Sequence, residues 1–265
     1  MLSRARKEIL IKAVVQAIPT YTISVFKLPN TLGDEMIGMV QKFWWGETNE
    51  KKKTKMVSWD KVCTPKEEGK GFRDLKAFNL TLLGKQGWRL QTNTSSLVYR
   101  VLKAKYFPKS DFLKAKLGSR PSYAWRSILV TLNIIRKGCK WQVGNGASIN
   151  IWTDKWLNGL STFKVLTKLN TLPDQSSVSL LIDSETGEWH DQLVRQVFVP
   201  TVVQSILSVP SSVHMPQDKF VCLHSKGNLT VRSAYKIVVA VSMETHMEGI
   251  SNGENHKSFW RRLWA

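Results

Sequence analysis

Residues 71–90 read Gly71-Phe72-Arg73-Asp74-Leu75-Lys76-Ala77-Phe78-Asn79-Leu80-Thr81-Leu82-Leu83-Gly84-Lys85-Gln86-Gly87-Trp88-Arg89-Leu90. The apolar set Phe78, Leu82, Leu83, Trp88 and Leu90 predicts one long helix from Leu75. The segments before it read the same way. Leu10, Ile11, Val14, Val15 and Ile18 recur at helical spacing, with Arg4, Lys7 and Lys12 elsewhere on the surface. Pro19 ends or kinks that helix. Thr31 with Asp34 three residues on is an acidic variant of the capping box. It predicts a helix with Met36, Ile37, Val40, Phe43 and Trp44 inward, stopped at Gly46. Ser58 is a cap for a single turn through Trp59 and Val62.

On the C-terminal side, Ser95-Ser96 caps a helix through Leu97, Val98, Val101, Leu102 and Tyr106, broken at Pro108. Ser122 caps the next, with Trp125, Ile128, Leu129, Leu132 and Ile135 along one side. The period then changes. Lys140–Val143, a Gly144-Asn145-Gly146 turn and Ser148–Trp152 predict a β-hairpin. A second small hairpin is expected across Gly227-Asn228, from Lys219–His224 to Leu229–Val231. Trp189–Phe198 and Val202–Leu207 read as short helices, and Ser233 as the cap of a helix through Val241. Glu244–Lys257 reads as a disordered loop, and the helix begun at Ser258 as cut short by the chain end. The expected class is mainly α with small β-hairpins (α+β), in three consecutive segments: 1–138 helical, 139–217 hairpin and linker, 218–265 a small α+β tail.

Charge narrows the choice of partner. The formal net charge is +19, with a pI near 10.0. Residues 1–180 carry 31 Lys and Arg against 12 Asp and Glu, whereas residues 181–265 carry eight of each. Such an excess favours a polyanion. The candidate phosphate contacts are Lys51, Lys52, Lys53, Lys55, Arg73, Lys76, Lys85, Arg89, Lys103, Lys105, Arg136, Lys137 and Lys140. Contacts of this kind grip a backbone without reading its sequence. The expected partner is therefore an RNA or DNA backbone. Taken singly, each cation is better explained by a solvated surface; taken together, they favour binding. Of the eleven tryptophans, Trp44, Trp88 and Trp125 fall on apolar stripes and read as core rather than as stacking platforms.

Other chemistry is thinly represented. Three widely spaced cysteines, Cys63, Cys139 and Cys222, argue against a disulfide framework and suit a reducing compartment. No apolar run approaches the length of a membrane span. The basic first helix is compatible with a mitochondrial presequence, though a structural helix is the better reading. Cys222-x-His224 with His246 and His256 matches no standard zinc spacing, so no metal site is assigned. Gly144-Asn145-Gly146 lacks the GK[ST] tail of a P-loop. Asp60, Asp74 and Asp154 could be proposed for paired-metal chemistry, but each sits in a structural motif, and no cofactor is expected.

An ordered set of motifs completes the reading. It comprises Leu2-Ser3-Arg4-Ala5, Lys7–Lys12, Ala17-Ile18-Pro19-Thr20-Tyr21, Lys42-Phe43-Trp44-Trp45-Gly46, Val57-Ser58-Trp59, Gly71–Leu75, Phe78-Asn79 and Lys85–Leu90. It continues with Val101–Pro108, Trp125-Arg126-Ser127-Ile128, Trp152-x-Asp154-x-Trp156-Leu157, Val231–Lys236 and Phe259-Trp260. The set resembles the C-terminal part of plant LINE-type (non-LTR retrotransposon) reverse transcriptases. The resemblance implies a helical thumb-like body that helps to hold template–primer, then, from about Asp218, the truncated start of a reverse-transcriptase zinc-binding domain. It also implies a nuclear setting. Arg6 and Lys70 depart from the family pattern, and the zinc domain's Pro and Cys/His ligand region is absent. The family's catalytic Tyr-x-Asp-Asp is absent too, since no Asp-Asp pair occurs. The expected function is a non-catalytic fragment that retains sequence-independent nucleic-acid binding; the alternative is an inactive, pseudogene-like fragment.

Overall fold

The computed structural model describes residues 2–17, 19–46, 57–63, 70–160, 162–165, 172–225 and 227–247. Its elements in chain order are α1 (Arg4–Leu10), α2 (Thr20–Ile23), α3 (Asn30–Trp45), α4 (Trp59–Val62), α5 (Leu75–Thr92), α6 (Leu97–Tyr106), α7 (Tyr123–Leu129), α8 (Leu132–Gly138), β1 (Cys139–Gln142), α9 (Asp191–Val197), α10 (Pro200–Leu207), β2 (Lys219–Cys222) and α11 (Val231–Met247). Single 3-10 turns lie at Phe112–Lys114 and Val178–Leu181. The class is mainly α with a small two-stranded sheet, as expected.

The chain divides into two compact units. One comprises Met1–Lys137 with Thr230–Ala265, the other Gly138–Leu229. In the first, α5 is the central helix and packs against α2, α3, α7 and α11. Asp74 starts it, its Oδ1 accepting the Ala77 N–H at 2.7 Å. Gly87 lets the neighbouring chain come close: a Cβ there would stand 2.8 Å from both Ile135 Cδ1 and Thr131 Oγ1. The first helix is structural. Ile11 is fully buried in a cluster with Val40, Trp44, Val62 and Phe72, and beyond it the chain opens into a wider turn in which Gln16 N–H donates to Ile11 O. Leu10 and Val14, expected on the inner stripe, face outward.

Asn79 shows why a polar residue sits inside this unit. It is almost fully buried. Its Nδ2 donates to Ile23 O at 2.6 Å and Phe26 O at 2.8 Å, while its Oδ1 accepts from Leu28 N–H at 2.8 Å. Ser127 Oγ accepts the adjacent Lys27 N–H. The irregular segment after α2 therefore finds its hydrogen-bond partners on side chains of α5 and α7. Asn79→Ala is expected to destabilise the unit by about 2 kcal/mol, because three backbone groups, one in a buried and two in part-buried hydrogen bonds, lose their partner together. Urea unfolding followed by circular dichroism measures this. A loss under about 0.5 kcal/mol would mean that water replaces the amide.

Several boundaries differ from expectation for local reasons. Asp34 caps nothing; its carboxylate takes Lys76 Nζ at 2.6 Å, and α3 begins at Asn30 without a side-chain cap. The helix expected from Ser122 breaks into α7 and α8 where Thr131 bonds back to Ile128 O through both its N–H and its hydroxyl. α11 starts earlier and ends later than predicted. Thr230 and Ser233 bond each other reciprocally, Ser233 N–H to Thr230 Oγ1 and Thr230 N–H to Ser233 Oγ, so Thr230 is the cap and Ser233 is inside. Glu244–Met247, read as loop, are helical; 248–265 lie outside the described residues. Within the same unit, the Tyr235 hydroxyl accepts Asp74 N–H at 3.2 Å and ties α11 to the head of α5.

The second unit has its own core of Ile149, Ile151, Trp156, Leu157, Val178, Leu181, Val194, Val203 and Ile206. Its strands pair differently from expectation. β1 does not fold back on Ser148–Trp152; it pairs antiparallel with β2, in the register Cys139–Cys222 to Gln142–Lys219. The second expected hairpin reduces to an isolated bridge, Cys222 to Gly227. The cause lies in the Gly144–Ser148 turn. Asp218 Oδ1 accepts the N–H groups of Gly144 and Gly146 at 2.8 and 2.9 Å, and Oδ2 accepts that of Ser148 at 2.8 Å. The carboxylate just before β2 thus captures the turn just after β1.

Candidate nucleic-acid interface

The surplus charge follows the structural units. The first holds 32 Lys and Arg against 13 Asp and Glu, a net +19; the second holds seven of each. Within the first, residues 100–137 form a long basic stretch nearly free of acids. They carry Arg100, Lys103, Lys105, Lys109, Lys114, Lys116, Arg120, Arg126, Arg136 and Lys137, with Asp111 as the single acid. Nine of these ten cations are exposed, and Lys103 is half-buried.

Aromatic packing holds this stretch together. Trp125, on α7, is fully buried and stacks on Tyr106 (centroids 4.8 Å, planes 3° apart) and on Phe107 (5.4 Å, 13°), with Phe112 at its edge (6.3 Å). Ser96 and Ser122 cap α6 and α7 as expected, accepting the N–H groups of Tyr99 and Trp125. Three polar links close the loops. Lys103 Nζ donates to Ser110 O at 3.1 Å, Ser122 N–H donates to the Tyr106 hydroxyl oxygen at 3.2 Å, and the Arg136 guanidinium donates to Leu113 O. The hydrogen bonds with Ser122, and secondarily Lys105, hold the Tyr106 phenol below its ordinary pKa. The rings lie beneath, and the cations stand outside.

The sequence-derived candidates meet different fates. Lys103, Lys105, Arg136 and Lys137 fall in this stretch. Lys103 and Arg136 each spend one donor on a local carbonyl, and the Lys105 ammonium stands over the Tyr106 ring at 5.3 Å. Lys85 and Arg89 lie one helical turn apart on α5, half-buried and exposed, and Arg89 reaches Gln86 Oε1 at 3.4 Å. Lys76 is paired with Asp34, and the Arg73 guanidinium covers the Phe78 ring at 4.6 Å. Lys140 belongs to the second unit. Its ammonium bonds Asn158 Oδ1 and stands 5.5 Å over Phe163, and burial lowers its pKa. Lys51, Lys52, Lys53 and Lys55 lie outside the described residues. Arg100, Lys109, Lys114, Lys116, Arg120 and Arg126 were not singled out from sequence; a running count of charge along the chain is the signal that finds them.

Both describable acidic candidates serve the backbone. Asp74 caps α5, and Asp154 Oδ2 accepts Asn150 N–H at 2.7 Å. Asp60's side chain is outside the described set. The Gly144–Gly146 turn offers no phosphate cradle, because its N–H groups already point at Asp218. Cys222 and His224 are neighbours as the sequence suggested, but no group of three or more metal-ligating side chains occurs among the described residues. No described helix is long and apolar enough to cross a membrane.

No family model matches the chain, and no solved structure matches it. Two Arabidopsis thaliana proteins do. Over 164 residues it is 40% identical to one named "Putative ribonuclease H protein At1g65750", a match covering 60% of this chain but only 26% of that longer protein. Over 143 residues it is 38% identical to one named "Uncharacterized mitochondrial protein AtMg00310", covering 53% of this chain and 93% of that protein. With nearly the whole of that relative matched at this identity, the chain belongs to the family of the Arabidopsis mitochondrial protein AtMg00310.

Proposed function

We propose that this is a retroelement-derived, non-catalytic protein of the LINE reverse-transcriptase type that holds RNA or DNA by its backbone, through the cationic stretch 100–137. The carrying observation is the run of ten cations and one acid, nine of the cations exposed, on a segment stapled by Trp125 and its ring partners. Its neutral companion unit supports the same reading, since a general solubility role would spread charge over both. The partial match to a longer protein named for ribonuclease H supports the retroelement origin. The structural employment of Asp74 and Asp154 supports a non-catalytic role.

Backbone binding releases counterions, so affinity is expected to fall with salt by a log–log slope of about 0.9 per phosphate on duplex and about 0.7 on single strands. Filter binding with unrelated sequences of equal length is expected to give similar affinities. The triple change Lys114→Glu, Lys116→Glu, Arg120→Glu is expected to weaken binding at least tenfold and flatten the slope. Lys219→Glu, in the neutral unit, is expected to leave both alone. Binding without salt dependence, or a triple variant as tight as the parent, would remove the reading. The non-catalytic part fails separately, if Mg²⁺-dependent cleavage of an RNA–DNA hybrid is abolished by one carboxylate substitution.

A further inference from the structure

Cys139 and Cys222 are far apart in the chain and directly opposite each other across the β1–β2 ladder. Leu223 N–H donates to Gly138 O, which makes Gly138–Leu223 a hydrogen-bonded pair. The next pair along, Cys139–Cys222, is therefore of the non-hydrogen-bonded kind, in which Cα atoms approach to about 4.5 Å and side chains lie closest. A disulfide spans Cα separations of roughly 4.4–6.8 Å. Both residues are free thiols, and both are almost fully buried. Two facing thiols at a strand pair need only a rotation about χ1 to bond, with little backbone movement.

We propose that Cys139 and Cys222 are a covalent modification site, closing to a reversible cross-strand disulfide by exchange with a small disulfide of the glutathione class.

The two sulfurs are chemically unequal in the way that this exchange requires. The Cys139 thiol donates a hydrogen bond to the Cys222 sulfur. This lowers the pKa of Cys222, with further help from His224 and Ser225, and together with burial raises that of Cys139. Cys222 is the attacking thiolate. Its sulfur bonds one sulfur of the small disulfide, and the other leaves as a thiolate that takes up the proton Cys222 gave to solvent. Cys139 then loses its proton, attacks the Cys222 sulfur of the mixed disulfide and expels the second small thiol. Two electrons pass from the protein pair to the small disulfide, which ends as two thiols. Because both residues are almost fully buried, the first attack requires the structure around them to open, so the reaction is gated by local unfolding. The new bond would close a loop of about 80 residues and constrain the unfolded chain strongly.

The full chain is incubated with oxidised glutathione, quenched in acid, unfolded, alkylated and mapped by mass spectrometry. The expected product has lost two hydrogens and contains a Cys139–Cys222 linked peptide, while Cys63, in the first unit, is recovered alkylated. The thermal transition of the second unit is expected to rise by about 10 °C or more and to return on reduction. Cys139→Ser is expected to stop at glutathionylated Cys222, and Cys222→Ser to leave Cys139 alkylatable. The proposal is overturned if the wild-type chain keeps both thiols alkylatable, holds glutathione on Cys222 without resolving it, or links Cys63 instead. A disulfide that forms without raising the transition overturns it too. None of these outcomes depends on nucleic-acid binding.

Discussion

Trp125→Ala is expected to destabilise the first unit by about 3–5 kcal/mol, within the range for removing a fully buried tryptophan. The side chain has no exposed surface, and its two closest ring partners, Tyr106 and Phe107, lie at the C-terminal end of α6, with Phe112 in the following 3-10 turn. Alanine would leave a cavity among three rings that cannot all collapse into it. Trp125 Nε1 is buried and has no hydrogen-bond partner among the described residues. Phenylalanine removes that orphaned donor while keeping most of the apolar contact, so Trp125→Phe is expected to cost under about 1.5 kcal/mol. Urea midpoints for the two variants separate packing from the indole N–H. Similar, large losses in both would mean that an ordered water satisfies the nitrogen and that the full indole shape is needed. If the stretch 100–137 holds a nucleic-acid backbone as proposed, the alanine variant is also expected to lose that affinity, because these rings anchor the segments that carry its cations.

That dependence explains how much of the molecule could be read in advance. Local signals worked where no distant group competes. The stripe Phe78, Leu83, Trp88 and Leu90 is buried on α5, and Ser96 and Ser122 cap their helices. The Thr31–Asp34 pattern failed because Asp34 has a better partner in Lys76, a residue brought near by folding alone. Strand partners failed for the same kind of reason. Periodicity marks Lys140–Val143 as extended but carries no address, and the short loop at Gly144–Gly146 made Ser148–Trp152 look like the natural mate. The true mate, β2, arrives with Asp218, whose acceptor role in a distant turn leaves no periodic trace. The candidate interface divides likewise. Residue type picked out cations, but no sequence rule tells that Lys76 and Lys140 are engaged internally while Lys114, Lys116 and Arg120 stand exposed.

Asp218→Ala is expected to destabilise the second unit by about 3 kcal/mol or more. One carboxylate accepts three backbone N–H groups, two of them at partly buried positions, and a hydrogen bond to a charged acceptor contributes about 1.5–3 kcal/mol. The exposed Ser148 N–H can turn to water, so the sum falls short of three full bonds. Asp218→Asn retains an oxygen for Gly144 and Gly146 but presents an amide NH₂ to the Ser148 donor, and about 1 kcal/mol is expected. Gly144 supplies the steric control. A Cβ there would stand 2.0 Å from Pro216 O, closer than any real contact, so Gly144→Ala should disrupt the turn while leaving the carboxylate in place. Hydrogen exchange at the Gly144 and Gly146 amides, with urea midpoints for the three variants, distinguishes the causes. If Asp218→Ala is neutral while Gly144→Ala unfolds the unit, close packing alone sets the turn. If both fail and Asp218→Asn survives, the carboxylate's acceptor geometry fixes it. In that second case the β1–β2 register follows from it, because Gly144 lies two residues beyond β1 and Asp218 immediately precedes β2. A carboxylate that joins the two strands at the Gln142–Lys219 end of the ladder admits one alignment of the strands, and that alignment is the one that sets Cys139 against Cys222.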